Sequence, residues 1–417
     1  MSLKRVVVTG IGALTPLGKN YPEYWENLLL GVSGADIITR FNTTLFKTKF
    51  ACELKEYVAE DYFERKEVKR LDPFLQYAAI STDEAVKDAN LIFENLDRER
   101  IGVIWGSGIG GVRTFIDEIR NFSLGDGSPH FNPFFIPKLI TNMAPGYMSI
   151  KYGLYGPSFA VTSACASSNH ALIDALNYIR LGIADIMICG GSEAIINEAA
   201  VGGFNAMHAM STRNDSPSTA SRPFDKDRDG FVAGEGSGTL ILEDLDHAKK
   251  RGAKIYAEFA GGGMSSDGYH ITATHPDGFG AKIAMKNALS NADMKPGDID
   301  YINAHGTSTP LGDISEIRAI SSLFGDSAPR LNISSTKSMT GHLLGAAGVI
   351  EAIATILSVR DNIVPPTINH FTDDLEFDSN LNLTFNTSQK REVRAGISNA
   401  FGFGGHNTSV IFKKFID

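Results

Sequence analysis

Three segments of this chain place chemically able side chains among small residues. Val161–Ala171 reads VTSACASSNHA, an apolar run that opens into a small-residue turn at Cys165. Apolar side chains then recur at Ala171, Leu172, Ala175, Leu176 and Ile179 and stop before Gly182, the pattern of an amphipathic helix with a glycine end. Cys165 thus falls at or near a helix N-terminus. Free N–H groups there favour a thiolate and would draw the thiol below its usual value of about 8.5. Small neighbours leave room for a substrate, and an exposed N–H can face an oxyanion. A buried, inert thiol is the commoner fate of a free cysteine; the strand–turn–helix setting separates Cys165 from it. Cys189 follows Ile186–Ile188, precedes Gly190 and Gly191, and reads as strand-end core, whereas Cys52 has no supporting context.

Two of the ten histidines stand in unusual company. Asn303–Asp313 reads NAHGTSTPLGD and sets His305 just after a strand, in a loop of small and hydroxyl residues. Lys337–Gly348 reads KSMTGHLLGAAG and sets His342 at the start of a Gly/Ala-rich helix. A helix start disfavours the imidazolium, so His342 is expected neutral near pH 7, able to polarise a carbonyl through one N–H. Taken singly, each histidine fits a structural hydrogen-bonding role better. The catalytic reading requires both to share a pocket with Cys165.

Ser398–Asn407 reads SNAFGFGGHN. Gly402, Gly404 and Gly405 would let the backbone approach a ligand closely, and Phe401 and Phe403 could gate an apolar pocket beside an oxyanion donor. A tight turn before the last strand is the equal alternative. Two other motifs mislead. Gly10–Thr15, GIGALT, lacks the third glycine of a dinucleotide loop. Asp225–Gly236 begins DKDRDG like a calcium loop, but its twelfth position is Gly236, with Glu235 one place early. No phosphate-binding P-loop occurs.

The elements that must position these groups alternate. Val6–Val8, Gly102–Trp105, Phe159–Thr162, Ile186–Cys189, Gly238–Leu242, Lys254–Ala260, Tyr301–Asn303, Leu331–Ser334 and Thr408–Phe412 read as strands, while Gln76–Ala89, Ser167–Leu181 and Leu343–Val359 read as helices. Such alternation predicts a layered α/β fold. Asp244–Lys254 is the best junction between two unequal halves. The arrangement strand, small turn with a reactive side chain, helix occurs around Cys165 and again around Lys337 and His342. GALTPLG at Gly12–Gly18 and GTSTPLG at Gly306–Gly312 add a short match that chance also explains.

The chain has 417 residues, 43% of them hydrophobic and 21% charged, which is a globular composition. Its net charge of −9 disfavours nucleic acid as a partner. Three cysteines without CxxC spacing exclude a disulfide scaffold and argue against a thiolate metal site. No apolar run is long enough to span a membrane. We therefore expect a cytoplasmic protein.

Together these segments resemble the β-ketoacyl-acyl-carrier-protein synthases of the elongating, type II kind, condensing enzymes of the thiolase-like superfamily. The resemblance covers essentially the whole chain. It rests on seven ordered motifs: VVVTGIGALTPLG, GSGIGG, TSACASS, RPFDKDRDGFVAGEGSG, NAHGTSTPLGD, KSMTGHLLGAAG and GFGGHN. His406 stands where the family commonly has threonine, and the residues after Cys165 differ from those of some members.

The resemblance implies a thiolase-like five-layer α/β/α/β/α sandwich of two similar halves, residues 1–250 with the nucleophile and 251–417 with the two histidines. It implies Cys165 as acyl acceptor, and His305 and His342 as the pair that binds the malonyl carbonyl and promotes decarboxylation. Lys337 would be a supporting lysine paired with Glu351. The N–H groups of Cys165 and Phe403 would form an oxyanion hole, Phe401 and Phe403 a gate, and Ile109 the far end of the acyl pocket. The reaction would be decarboxylative condensation in fatty-acid elongation. It would use no metal or organic cofactor, because substrates travel on the phosphopantetheine of acyl carrier protein.

That carrier is acidic, so docking needs a local basic patch. Glu64–Arg70, ERKEVKR, supplies one if helical, through Lys66, Lys69 and Arg70; a solvated charged helix is the equal alternative. The family is usually homodimeric, and Phe134 and Phe135 are candidates for that contact. Other readings remain distinguishable. A coenzyme A thiolase would want a second cysteine near the tail. A cysteine hydrolase would use water as acceptor. A non-catalytic chain-length subunit would lack the nucleophile, and a nicotinamide-binding protein would keep the third glycine.

Overall fold

The computed structural model describes residues 3–416. Ten strands form the frame. In chain order they are β1 (Val6–Leu14), β2 (Ile101–Gly106), β3 (Ser158–Val161), β4 (Ile186–Glu193), β5 (Gly236–Asp244), β6 (Ala257–Ser266), β7 (Tyr301–Asn303), β8 (Asn332–Ser334), β9 (Ala395–Gly402) and β10 (His406–Lys413). Their spatial order is β8-β7-β9-β10-β6-β1-β5-β4-β2-β3. The halves β1-β5-β4-β2-β3 and β6-β10-β9-β7-β8 are one pattern used twice, each strand matching the one five later. In both, the first three strands in space pair antiparallel and the last pairings are parallel. The halves meet edge to edge where β1 pairs β6 at Val7–Glu258 and Val8–Ala257.

Helices complete the layers. The principal ones are α1 (Pro73–Asp88), α2 (Val112–Leu124), α3 (Ser167–Arg180), α4 (Phe279–Asn291), α5 (Pro310–Phe324) and α6 (Ala347–Asp361). α1 covers the outer face of the first half and α4 that of the second, while α3 and α6 pack on each other and on strands of both halves. That yields the α/β/α/β/α sandwich. Every residue from Ala347 to Val359 is buried, which is why apolar side chains occupy every face of this segment, with Glu351 the one charged side chain among them. On α3 the buried set includes Ala171, Leu172, Ala175, Leu176 and Ile179.

Glycines set how closely these layers approach. β1 continues through Gly10 and Gly12 rather than ending at Val8, because a Cβ on Gly12 would meet the Ser81 carbonyl oxygen of α1 at 1.9 Å. The glycines are the contact surface for a helix, not a break. The segment 244–254 holds a short helix, Leu245–Lys250, capped by the Asp244 side chain on the His247 N–H at 3.0 Å. The tail motif contains the end of a strand, β9, that the glycines concealed. The duplication lies in the topology. GALTPLG closes β1 and GTSTPLG follows β7, which are not equivalent strands, so that match is coincidental.

Candidate active site

Parallel strands β3, β7 and β8 release three short segments at one end of the two halves, and these carry Cys165, His305 and His342. The sulfur and one ring nitrogen of each histidine lie within 4.8 Å of one another, and His342 Nε2 is 3.0 Å from Cys165 Sγ. The two imidazoles meet edge to face, 5.3 Å between centroids. The trio lines a cavity of about 620 Å³ whose wall includes Ile109, Phe204, Leu344 and Phe401.

Local chain geometry holds each group. Ala164 has φ of 50°, a strained left-handed value that turns Cys165 off the end of β3. Ser167 then accepts the Ser163 N–H and donates to the Ala164 carbonyl, locking the turn at the head of α3. For His305, the buried Glu316 carboxylate of α5 accepts the backbone N–H of His305 and of Gly306, each at 2.8 Å. For His342, the FVAG run that follows RPFDKDRDG is the support: His342 N–H donates to the Val232 carbonyl at 2.7 Å, and Gly234 N–H donates to the His342 carbonyl at 2.9 Å. The calcium-like acidic run is thus spent on structure. Asp225 accepts N–H groups of Phe371, Thr372 and Asp227.

The structure differs from the sequence-based expectation at two places, the charge state of Cys165 and the setting of His342. Burial pushes the Cys165 thiol up to about 12 rather than down; Lys337 and the N–H groups of Phe403 and Cys165 oppose it, and Glu193 adds to it. Desolvation outweighs the helix terminus here because the residue is only 8% exposed. His342 does not begin a helix: a single tight turn, Leu344–Ala346, intervenes before α6 at Ala347. It is still held well below the ordinary imidazole range, by burial and then by Lys337; His305 is held there by burial, Lys337 and His342. Both rings are therefore neutral near pH 7. Lys337 and Glu351 form a buried ion pair behind them.

The glycine-rich tail adds the last piece. The backbone N–H of Phe403 favours the ionised form of the Cys165 sulfur. Phe401 packs 5.6 Å from the His305 ring, and both phenylalanines line the cavity. A Cβ on Gly402 would meet the Ser163 carbonyl oxygen at 2.7 Å and Cys165 N at 3.1 Å. Gly402→Ala should therefore push the Phe403 N–H away from the sulfur and lower kcat by about 10²-fold, the usual cost of one oxyanion donor. Steady-state kinetics beside a circular-dichroism control checks this.

Other candidates fall elsewhere. Lys66, Lys69 and Arg70 line one surface groove with His130 and Phe134, although only Arg65–Val68 is helical and Lys69 and Arg70 lie beyond it. Phe134 is exposed beneath the Arg70 guanidinium, and Phe135 is half-buried against Phe131. His406 is exposed, its ring 6.4 Å from that of His170. Cys189 is core, and Cys52 is buried behind Gly341. Sequence reasoning missed Glu193 and Glu316. Neither sits in a motif, and only their full burial in the fold marks them.

Two matched α/β halves, one presenting a cysteine and the other two histidines, define a thiolase-like acyltransferase. The chain belongs to the β-ketoacyl synthase family: its N-terminal domain profile matches residues 3–248 and its C-terminal domain profile residues 256–371. The chain is 49% identical over 413 residues to the 3-oxoacyl-[acyl-carrier-protein] synthase 2 of Staphylococcus aureus (strain N315), covering 99% of each. A solved β-ketoacyl synthase from Burkholderia phymatum STM815 superposes with a TM-score of 0.92 at 35% identity, over 99% of this chain and 100% of that one. A type II PKS ketosynthase, solved in complex with its acyl-carrier protein and bound to a hexaketide, superposes at 0.91 with 33% identity over the same shares.

Proposed function

We propose that this chain catalyses decarboxylative Claisen condensation of an acyl chain held on Cys165 with malonyl-acyl-carrier protein, giving a β-ketoacyl-carrier two carbons longer in fatty-acid elongation. The observation that carries the roles is the convergence of Cys165, His305 and His342 from two halves upon one apolar cavity. In this reading residues 1–250 supply the nucleophile and 251–417 the imidazoles.

In the first half-reaction Cys165 attacks the acyl thioester on the carrier's phosphopantetheine. The sulfur–carbon bond forms, the carrier's thiolate leaves, and the thiol proton passes to that leaving group. Because the resting thiol is protonated, attack must be coupled to proton removal, and His342 Nε2 is placed to accept it. The tetrahedral oxyanion would sit against the N–H groups of Cys165 and Phe403. In the second half-reaction His305 and His342 donate N–H bonds to the malonyl thioester carbonyl. The bond between the malonyl α-carbon and its carboxylate breaks as carbon dioxide leaves, and its electron pair forms the stabilised enolate. The α-carbon then attacks the acyl carbonyl, the carbonyl–sulfur bond breaks, and the expelled Cys165 thiolate takes a proton from water while the β-ketoacyl chain stays on the carrier. Among the described residues Nδ1 of neither ring has a hydrogen-bond partner, so no neighbour pins the tautomer and one Nε2 can serve both steps.

The same three side chains are close enough to ligate a metal. Metal-bound imidazoles are usually anchored through their other nitrogen, however, and these two are not. That favours the cofactor-free reading, with acyl groups delivered on phosphopantetheine. No helix among the described residues is long and apolar enough to cross a membrane, in keeping with a cytoplasmic enzyme.

The basic groove of Lys66, Lys69 and Arg70 supports docking of an acidic carrier there. Lys66→Glu with Lys69→Glu should raise the apparent KM for the carrier roughly tenfold at low salt, with a smaller effect at high salt, and leave kcat nearly unchanged. Kinetics identical to wild type at every ionic strength would remove the groove from the account. Homodimerisation is supported by the exposed apolar side chains Phe115, Ile119, Phe122, Phe134 and Ile136 around α2 and the segment after it. The direct test of the function is incubation with acyl-carrier and malonyl-carrier, followed by mass spectrometry for the β-ketoacyl product. Release of free fatty acid instead would indicate a hydrolase.

A further inference from the structure

The scheme above makes no use of Glu193, although its carboxylate is fully buried beneath two residues of the cavity wall, Gly108 and Ile109. It closes β4 and accepts hydrogen bonds from the N–H groups of Gly108 at 2.7 Å, Ile109 at 3.1 Å and Gly345 at 3.0 Å, and from the Ser107 hydroxyl at 3.3 Å. No ion pair reaches it among the described residues. Two segments with different duties therefore meet on one side chain. Gly108 and Ile109 line the cavity, and Gly345 lies three residues past His342. The approach is too close for any other side chain: a Cβ on Gly345 would lie 2.5 Å from the carboxylate and 2.4 Å from Gly108 N.

We infer that Glu193 is a positioning residue for chain-length selection, holding the Ile109 wall and the His342 segment in one register. The inference rests on the condensing reading of the site. A carboxylate suits the post because its oxygens only accept, and four donors converge on them. An amide would turn its own NH₂ toward at least one backbone N–H. The wall would then shift relative to His342, and acyl chains of different length would be affected unequally. Glu193 also opposes ionisation of Cys165. The other groups around that sulfur are the Lys337 ammonium and the neutral His305 and His342.

The test compares wild type with Glu193→Gln and with the milder Ser107→Ala, which deletes one donor. Acyl-carriers of short, medium and long chain serve as substrates, and iodoacetamide titrates Cys165 against pH. For Glu193→Gln we expect the ratio of kcat/KM between short and long acyl groups to move at least about tenfold, and the alkylation midpoint to fall. Ser107→Ala should move the same ratio by a smaller factor. A uniform loss across chain lengths with an unmoved alkylation midpoint would overturn the inference. If Glu193→Gln does not fold, an unchanged length ratio in Ser107→Ala overturns it and a shifted ratio upholds it. Wild-type protein that takes no acyl group on Cys165 would instead sink the functional reading itself.

Discussion

Cys165→Ala is expected to cut acyl transfer from acyl-carrier by about 10⁴-fold or more while the protein still decarboxylates malonyl-carrier. The split follows from the geometry. The sulfur is needed to form the thioester, and nothing nearby substitutes for it: Cys52 and Cys189 are both buried outside the cavity, and burial raises both thiols. The groups assigned to enolate stabilisation are the rings of His305 and His342, which alanine leaves in place. Removing Sγ opens space next to His342 Nε2 without disturbing the Val232 and Gly234 backbone bonds that hold this histidine. Radiolabelled acyl transfer and carbon dioxide release, measured separately, check the result. Equal loss of both would mean that the sulfur takes part in decarboxylation itself.

The reciprocal result is expected from the histidines. His305→Ala or His342→Ala should slow decarboxylation by about 10²–10³-fold, the usual cost of one charge-stabilising donor. His305→Ala should spare acylation more, because it is the His342 nitrogen that touches the sulfur. The pH behaviour follows from the depressed imidazoles. Both rings stay neutral in the fold through the range where a free histidine titrates, so decarboxylation should be flat between about pH 6 and 8. Stability has the opposite sensitivity. Below about pH 6.5 the unfolded chain binds protons that the folded chain refuses, so stability falls as pH drops from there toward the folded values. Thermal melts across pH 5–7, run beside a double His305→Ala, His342→Ala variant, should show a shallower acid limb in the variant. A decarboxylation profile with a midpoint near 6.5 would mean that the rings are not shielded as the fold implies.

Much of this was legible because the site motifs are local. The turn at Cys165 and the loop at His305 follow strands whose apolar runs mark them, and the helix after Cys165 shows its period directly. What the sequence concealed was electrostatic and topological. A helix terminus argues for a thiolate; only the fold shows that Cys165 is buried deeply enough for desolvation to win. His342 looked like a helix start because the Gly/Ala run is continuous, and the intervening turn leaves no mark in residue type. Gly10 and Gly12 looked like an interruption of β1, since a glycine that admits a helix and one that ends a strand are the same letter. Glu193 and Glu316 were invisible for a related reason. Their work is to accept backbone N–H groups from segments distant in the chain, and backbone donors have no sequence signature.

The central claim is that the acyl chain is carried by the sulfur of Cys165. Incubating the protein with acyl-carrier alone, digesting with trypsin and weighing the peptides tests it in one step. The account predicts the acyl mass on Tyr152–Arg180, which holds Cys165. The same mass on Phe50–Lys55 or Leu181–Arg213, the peptides of Cys52 and Cys189, or on no peptide at all, would contradict it.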